Sequence, residues 1–243
     1  MPGRVVLLSL SITALTMACL TLLEVRGKAL DLRGRWLNLQ AQGLGLGVKW
    51  LILPLIALHA PVSLLDGRAM PFWLAFPIFL VAMDLGEYLF HRAQHAIPWL
   101  WTMHSLHHSD PDMNATTAER HFWGERLIKS VSIWPAAALV IRPTAFIVLC
   151  YGLACAWHVV VHSRLHFSFG KLSWLLNSPA YHRRHHSSDP AHFNSNYSAL
   201  LPIFDVLTGA YHRPRGFPGT GLEEKPSKIS DLALWPVRQG ARA

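Results

Sequence analysis

The sequence of 243 residues is poor in charge and in cysteine. Only 15% of its residues are Asp, Glu, Lys or Arg, whereas 51% are hydrophobic. This balance excludes a disordered chain and disfavours an ordinary soluble domain, whose surface needs more charge. The three cysteines, Cys19, Cys150 and Cys155, all lie in apolar stretches. They give no disulfide framework and no cysteine-based zinc site, so the composition indicates a membrane protein.

Several motifs of soluble enzymes are also missing. The sequence has no H-E-x-x-H of zinc peptidases and no Glu-x-x-His pair of the soluble carboxylate di-iron bundles. It has no Rossmann fingerprint, haem-attachment motif or cysteine cluster, so any electrons it uses are expected to come from another protein. The net charge of +8 would suit nucleic acid, but basic loops beside membrane spans carry the same excess. We therefore expect no nucleic-acid partner.

Four stretches are apolar enough to enter a membrane. At 1.5 Å per residue each approaches or exceeds the thickness of the hydrocarbon layer, and they are residues 5–25, 48–65, 70–90 and 131–161. The first is expected to be a retained anchor, because no small-residue cleavage site follows it. The second contains Pro54 and Pro61 and is expected to kink. The fourth is interrupted by Arg142 and Pro143, which predicts a helical hairpin, although two buried helices of a soluble cap would give a similar pattern.

Charge orients these stretches. The linker between the first two carries more basic than acidic residues, namely Arg26, Lys28, Arg33, Arg35 and Lys49 against Glu24 and Asp31. The positive-inside rule places this linker in the cytoplasm, so the third stretch also ends on the cytoplasmic side. We expect an all-α integral-membrane bundle of about four spans, counting the hairpin, with a cytoplasmic helical cap.

The chain is expected to divide into three parts. Residues 1–70 would form membrane anchor helices, residues 71–212 a catalytic domain, and residues 213–243 a peripheral tail. An apolar patch at residues 232–237 would rest on the membrane surface or pack on the cap.

Ten of the 15 histidines fall into four short clusters, two of the form H-x3-H and two of the form H-x2-H-H. They are His91, His95, His104, His107, His108, His158, His162, His182, His185 and His186. Spacings of three and four residues place side chains on one face of a helix, so each cluster can present imidazoles to a common point. The second H-x2-H-H follows Ser178 and Pro179, which predicts an N-cap and a proline at the first helical position.

Clustered imidazoles indicate a metal site. Neutral imidazole suits zinc, copper, iron and nickel, and ten ligands are too many for one ion but suit two. His121, His166 and His192 lie near the clusters without a ligand spacing, so their membership stays open. His59 and His212 are interpreted as ordinary polar residues.

The order of these clusters between membrane spans resembles the fatty acid hydroxylase/sterol desaturase superfamily of integral-membrane, non-haem di-iron oxygenases. The likeness covers residues 72–211 and includes three further segments. These are the lead-in Asp84-x3-Tyr88-x2-His91-Arg92, the stretch from Thr117 to His121, and the late Asn196-Tyr197 and Phe204–Gly209. The resemblance implies that the ten histidines bind two iron ions, with zinc as a possible substitute in purified protein.

The resemblance also implies a reaction. Such proteins use O2 and two external electrons to hydroxylate or desaturate an unactivated C–H bond of a fatty acyl chain, a sterol or a related lipid. A reductase, a cytochrome or a ferredoxin would supply the electrons. A histidine-lined metal transporter and a zinc-dependent membrane hydrolase remain alternatives. The histidines follow the spans instead of lying in their middles, which favours an enzyme site at the membrane edge.

Three residues before the first cluster are candidates for supporting roles. Asp84, Glu87 and Tyr88 lie within two helical turns of His91, where they are expected to orient ligand imidazoles from behind. For the two acids, a helix-end charge facing lipid headgroups is an equal alternative. Arg120 and Glu125 are expected either to pair near the site or to form a surface salt bridge.

Overall fold

The computed structural model describes residues 2–25, 31–57 and 62–240, and almost all of the regular structure in them is helical. The helices are α1 Pro2–Glu24, α2 Leu32–Ala57, α3 Phe72–Ala96, α4 Pro98–His108, α5 Trp123–Val140, α6 Ala145–His162, α7 Pro179–His185, α8 Ile203–Thr208, α9 Ile229–Ala233 and α10 Trp235–Gly240. Short 3-10 turns lie at Ala115–Glu119, Gly170–Leu172 and Pro190–His192. The predicted all-α class is confirmed.

Three described helices are long and apolar enough to cross a membrane. They are α1 over Leu7–Glu24, α3 over Phe72–Ala96 and α6 over Ala145–His162. An 18-residue helix extends about 27 Å, close to the thickness of a bilayer core. These helices correspond to the first and third predicted stretches and to the second half of the fourth.

The second predicted span is wrong in its position. Helix α2 begins at Leu32, sixteen residues before Val48, and the chain has left the helix by Val62. It begins early because its first half packs on the cap, where Leu37 and Ala41 are buried in one cluster with Leu100. Residues 58–61, with His59 and Pro61, lie outside the described residues.

The predicted helical hairpin is found only in part. Helices α5 and α6 follow each other in the chain, joined through the two-residue strand β2, Ile141–Arg142, which pairs in parallel with β1, Leu65–Asp66. Helix α5 packs mainly on α2 and α3, whereas α6 packs mainly on α1. The Thr144 side chain accepts a hydrogen bond from the backbone N–H of Ile147 and caps the start of α6. Helix α5 already begins at Trp123, and of the two arms α6 alone meets the criteria for a span.

The C-terminal segment packs on the cap, one of the two outcomes expected for it. Leu232 and Trp235 are buried beside Phe122, and the indole N–H of Trp235 donates to Ser105 Oγ at 2.9 Å. Burying each large side chain contributes roughly 1.5–3 kcal/mol, so helices α9 and α10 hold α4 in place. Helix α4 in turn carries one of the histidine clusters.

Candidate metal centre

The ends of four helices bring the histidine clusters together. His91 and His95 lie in the last turns of α3, and His162 is the last residue of α6. Helix α4 carries one H-x2-H-H cluster at its C-terminal end, and the other lies on α7 and the residue that follows it. As predicted, Pro179 begins α7 and the Ser178 side chain accepts from the Tyr181 N–H. Helix ends can meet at one point because the chain turns away from each of them.

Nine of the ten predicted ligands converge in two groups. In each group one ring nitrogen of every member lies within 4.8 Å of the others. The first group is His91, His95, His104, His108 and His185, and the second is His107, His162, His182 and His186.

The geometry explains the paired histidines of the H-x2-H-H motif. His107 and His108 are neighbours in the chain but belong to different groups, and the same is true of His185 and His186. The rings of His108 and His186 stack with their centroids 4.3 Å apart. Each motif therefore contributes to both groups, and the two groups lie side by side.

Most of the inward nitrogens have no hydrogen-bond partner among the described residues. In the first group, Nε2 of all five histidines is buried without a hydrogen-bond partner among the described residues. In the second group, His162 Nε2 lies 3.1 Å from His107 Nε2 and 2.9 Å from His182 Nε2. An unsatisfied buried polar atom costs about 1–3 kcal/mol, and a cation at the centre of each group would use these lone pairs. The residues present therefore fit two metal ions with nitrogen donors.

Backbone carbonyls orient several of these rings. Nδ1 of His91 lies 2.6 Å from the Tyr197 carbonyl oxygen, and Nδ1 of His185 lies 2.8 Å from that of Ser195. Nδ1 of His162 lies 2.6 Å from the backbone carbonyl oxygen of His158, one turn earlier in α6. A carbonyl oxygen can only accept, so Nδ1 carries the proton and Nε2 presents its lone pair to the centre.

A buried aspartate fixes the loop that supplies two of these carbonyls. Asp205 is fully buried, and its carboxylate accepts from the N–H groups of Tyr197 and Ser198 at 2.9 and 2.8 Å. It also accepts from the Tyr181 hydroxyl on α7. Next in this loop, Asn196 adopts the left-handed conformation with φ of 59°, which asparagine tolerates better than most residues. Asp205 lies in the segment Phe204–Gly209 that carries part of the family resemblance, but no role was predicted for it.

Burial keeps the imidazoles of the cap uncharged. Loss of solvent, reinforced by neighbouring histidines, lowers the pKa of His107, His108, His182 and His186 well below the usual value. Burial lowers the pKa of His185 to about 3. Neutral imidazoles have a free lone pair, so these rings are in the form that binds metal at neutral pH.

Glu125 is the main residue of the centre whose role the sequence did not reveal. Its side chain is completely buried, and Oε2 accepts from Gln94 Nε2 at 2.6 Å and lies 3.1 Å from His104 Nδ1. Burial would raise the pKa of Glu125, but the facing His104 and His121 rings hold it well below its usual range. The carboxylate therefore stands behind a ligand histidine.

Neither role expected for Arg120 with Glu125 is found. Arg120 is buried, and it donates from Nε to Asn38 Oδ1 at 2.5 Å and from a terminal nitrogen to Ser109 Oγ at 3.1 Å. Its nearest carboxylate is Asp110, at 3.7 Å. This network joins α2 to the end of α4. Both expectations fail because Asn38, Ser109 and Asp110 occupy the guanidinium of Arg120.

Asp84, Glu87 and Tyr88 do not orient imidazoles directly. The Asp84 carboxylate accepts from the N–H groups of Leu200 and Leu201 at 3.0 and 2.9 Å, so it faces neither a ligand nor the headgroup region. The Tyr88 hydroxyl bonds to the Thr208 hydroxyl at 2.5 Å, and Glu87 Oε2 accepts from Lys129 Nζ at 2.7 Å. In the described part of the chain none of the three hydrogen-bonds to a histidine ring. They tie α3 to its neighbours instead.

The remaining histidines differ in their relation to the centre, and one of them, His121, converges with His104 and Glu125 in a third, smaller group. His158 lies outside both converging groups and instead lines a cavity with His121. His121 adjoins the centre, with its ring stacked on that of His107 at 4.1 Å, and burial lowers its pKa to about 4. His166 stacks on Phe217 and His192 bonds to Ser187, so neither joins the centre.

Comparisons with known proteins agree with this geometry. A family model described as fatty acid hydroxylase matches residues 76–210, more than half of the chain. An alkylglycerol monooxygenase from Xenopus tropicalis is 35% identical over 140 residues, 57% of this chain and 30% of that protein. An alkylglycerol monooxygenase from Danio rerio is 33% identical over 144 residues, 59% of this chain and 31% of that protein.

A bacterial relative covers more of its own length. An ornithine lipid hydroxylase, OlsE, from Rhizobium tropici is 29% identical over 168 residues, 67% of this chain and 50% of that protein. The chain thus spans about a third to a half of the length of these relatives. No solved structure matches it. From the family match over the histidine-bearing region, the chain belongs to the fatty acid hydroxylase family.

Proposed function

We propose that the protein is a membrane-bound di-iron oxygenase that oxidises a C–H bond of a lipid. The observation that carries the proposal is the pair of converging histidine groups, in which Nε2 of all five histidines of the first group and of His186 in the second is buried without a hydrogen-bond partner among the described residues. The names of the relatives, alkylglycerol monooxygenase and ornithine lipid hydroxylase, support a lipid substrate and O2 as the oxidant. Hydroxylation would convert C–H, O2, two electrons and two protons into C–OH and water. Desaturation of the same class of substrate is the alternative outcome.

Nine histidines would hold the metal, five around one ion and four around the other. Bound iron would supply the power to activate O2, whereas zinc in the same nitrogen sites would be redox-inert. The chain's own residues exclude water, fix the ligand rings through the carbonyls at 195 and 197, and back His104 with Glu125. His158, set apart from both groups, would face the substrate side.

The two electrons would come from a separate reductase, cytochrome or ferredoxin. The donor would approach the cap face opposite the membrane helices. A cavity of about 300 Å³ lies against ligands of the centre and is a candidate approach for the donor, lined by His95, His108 and His185 with Phe193 and Leu222.

We further propose a multi-pass arrangement with the centre on the cytoplasmic side. Helices α3 and α6 both end at the centre, and Glu24 at the end of α1 accepts from the N–H groups of Ala115 and Arg164 beside it. The ends of all three candidate spans thus lie on one side. The basic linker after α1 supports the cytoplasm for that side. Arg35 adds nothing to this argument, because it forms a buried pair with Glu24 at 2.8 Å.

Metal analysis and O2 consumption test the proposal. Protein purified without chelators is expected to contain about two iron ions per chain and to consume O2 with a chemical reductant and membrane lipid extract. Mass spectrometry should find a lipid that has gained one oxygen or lost two hydrogens. Iron-free protein that consumes no O2 after iron loading would reject the oxygenase. Zinc-supported hydrolysis or metal transport in the same preparation would then favour one of the alternatives.

A further inference from the structure

Residues 216–222 form a segment without helix, here called the strap, that follows the histidine-bearing region. The family model ends at residue 210, so the strap lies outside the region that the family shares. Each H-x2-H-H motif is followed by a turn, residues 109–113 after α4 and residues 187–189 after α7. The strap contacts both of these turns.

Thr220 of the strap joins the two turns by itself. It is buried, and its hydroxyl donates to the Asp110 carbonyl oxygen at 3.1 Å and accepts from the Met113 N–H at 3.3 Å. Its backbone forms an antiparallel bridge with Ser187, and the Ser188 N–H donates to the carbonyl oxygen of the preceding strap residue at 3.0 Å. The side chain of Thr220 therefore holds the turn after α4, and the adjoining backbone holds the turn after α7.

Close packing fixes the strap on either side of Thr220. Gly221 has φ of 102°, and a β-carbon at this position would lie 2.7 Å from Pro111 Cα, so the site requires glycine. The ring of Phe217 lies 3.9 Å from the guanidinium carbon of Arg183 and stacks on His166 with ring centroids 3.5 Å apart. Arg183 is a residue of α7, so the strap is attached to that helix and to the turn after α4 at several points.

The two helices that carry the motifs have different neighbours. Helix α4 packs mainly on α3 and α10, whereas α7 packs mainly on α6. Their histidines must nevertheless meet, because each motif supplies ligands to both groups and the His108 and His186 rings stack at 4.3 Å. Contacts that join the ends of the two motifs therefore affect the distances between ligands in both groups.

We propose that the strap sets the separation of the two H-x2-H-H motifs, with Thr220 as the positioning residue. Holding both turns in the metal-free protein reduces the ordering that metal binding must supply. Leu222, at the end of the strap, lines the cavity beside His95 and His108, so the strap also covers the five-histidine group on this side. The inference rests on the two-metal centre of the proposed function.

Amide hydrogen exchange of the whole chain, stripped of metal and held in lipid nanodiscs, tests the strap without metal. Thr220→Val removes the hydroxyl and is expected to speed exchange in both turns about fivefold, whereas Thr220→Ser keeps the hydroxyl and should change little. Thr102→Val, which removes a hydroxyl bonded within α4 itself, is the matched control. Unchanged exchange in the two turns, or equal acceleration throughout the protein, would overturn the proposal.

Zinc binding tests the consequence for the centre. Because each motif serves both groups, a loosened strap should weaken the binding of both ions. Competition with a chromogenic chelator is expected to show about tenfold weaker binding of each zinc ion by Thr220→Val. Thr220→Ser and Thr102→Val should stay close to the unmodified protein. Unchanged zinc affinity in Thr220→Val, or a loss confined to one ion, would reject the positioning role.

A second variant reaches the strap without removing a hydrogen-bonding group. Gly221→Ala places a β-carbon against Pro111 and should give the same local exchange and the same loss of zinc affinity. Gly170→Ala, also at positive φ but with open space around it, controls for backbone strain. Unmodified protein that binds fewer than two zinc ions would contradict the two-metal centre of the proposed function. The exchange experiment on metal-free protein would still decide whether the strap holds the two turns.

Discussion

His104 contacts Glu125 with one ring nitrogen and faces the five-histidine group with the other. Its Nδ1 lies 3.1 Å from Glu125 Oε2, whereas its Nε2 is one of the buried inward nitrogens of that group. Such a carboxylate fixes the tautomer and the direction of a ligand ring. The pair connects the start of α5 to α4, so it positions the first turn of α5 beside the histidine groups.

Glu125→Ala is expected to weaken metal binding about 10- to 100-fold, the usual effect of removing a carboxylate behind a ligand histidine. Glu125→Gln should lose less, because its amide oxygen can still accept from His104. Competition with a chromogenic chelator measures the affinity. Glu223→Ala, at an exposed position, is the control. Equal affinity of all three variants and the unmodified protein would show that Glu125 does not support the centre.

Single histidine substitutions should remove metal unequally. His182→Ala leaves three ligands in the four-histidine group, whereas His95→Ala leaves four in the other. We expect His182→Ala to retain about one ion per chain and His95→Ala to retain more than one, by mass spectrometry of the metal content. His212→Ala, outside both groups, should keep two. Equal losses in all three variants would contradict the division into two groups.

The loop that orients His91 and His185 should depend on Asp205. Asp205→Ala leaves several buried donors without an acceptor, which is expected to lower the free energy of unfolding by about 3 kcal/mol or more. Metal retention should fall with it. Asp189→Ala, at an exposed turn position, should cost about 1 kcal/mol or less. A small effect of Asp205→Ala in chemical denaturation would show that the loop is held by other contacts.

Acid should destabilise the metal-free protein. The pKa of His121 is lowered to about 4 and that of His185 to about 3, while the unfolded chain takes up protons near pH 6.5. As pH falls below 6.5, the unfolded state binds more protons, so stability falls by about 1.4 kcal/mol per pH unit for each such histidine. The decline ends once the pH is below the folded pKa values. Denaturation of metal-stripped protein between pH 7 and 5 checks this, and a flat profile would contradict it.

The sequence predicts the histidine ligands better than it predicts the hydrogen bonds that orient them. Helical spacing brought His182 and His185 onto one face, and the Ser178 cap formed as expected, because both are local properties. The same reasoning also predicted His158 as a ligand, because it lies four residues before His162. In the structure His158 lies outside the converging groups and lines the cavity. Spacing cannot tell which of two imidazoles on one helix reaches the centre.

The sequence patterns did not predict the contacts between segments that are distant in the chain. Asp84 was expected to orient the histidines nearest to it in the chain. Its carboxylate instead accepts hydrogen bonds from the backbone N–H groups of residues 200–201, more than a hundred positions away. Helix α2 was placed by hydropathy alone, whereas its position is fixed by packing on α5, on α9 and on the turn at Ala115–Glu119. In both cases the decisive partner is distant in the chain.

The two H-x2-H-H motifs have a consequence for metal loading. Adjacent residues of each motif serve different ions, so α4 and the end of α7 are common walls of both sites. The first ion to bind orders these walls, and the second then meets ligands whose conformational entropy is already lost. Uptake of the two ions is therefore expected to be cooperative, with protein carrying a single ion scarce at half saturation.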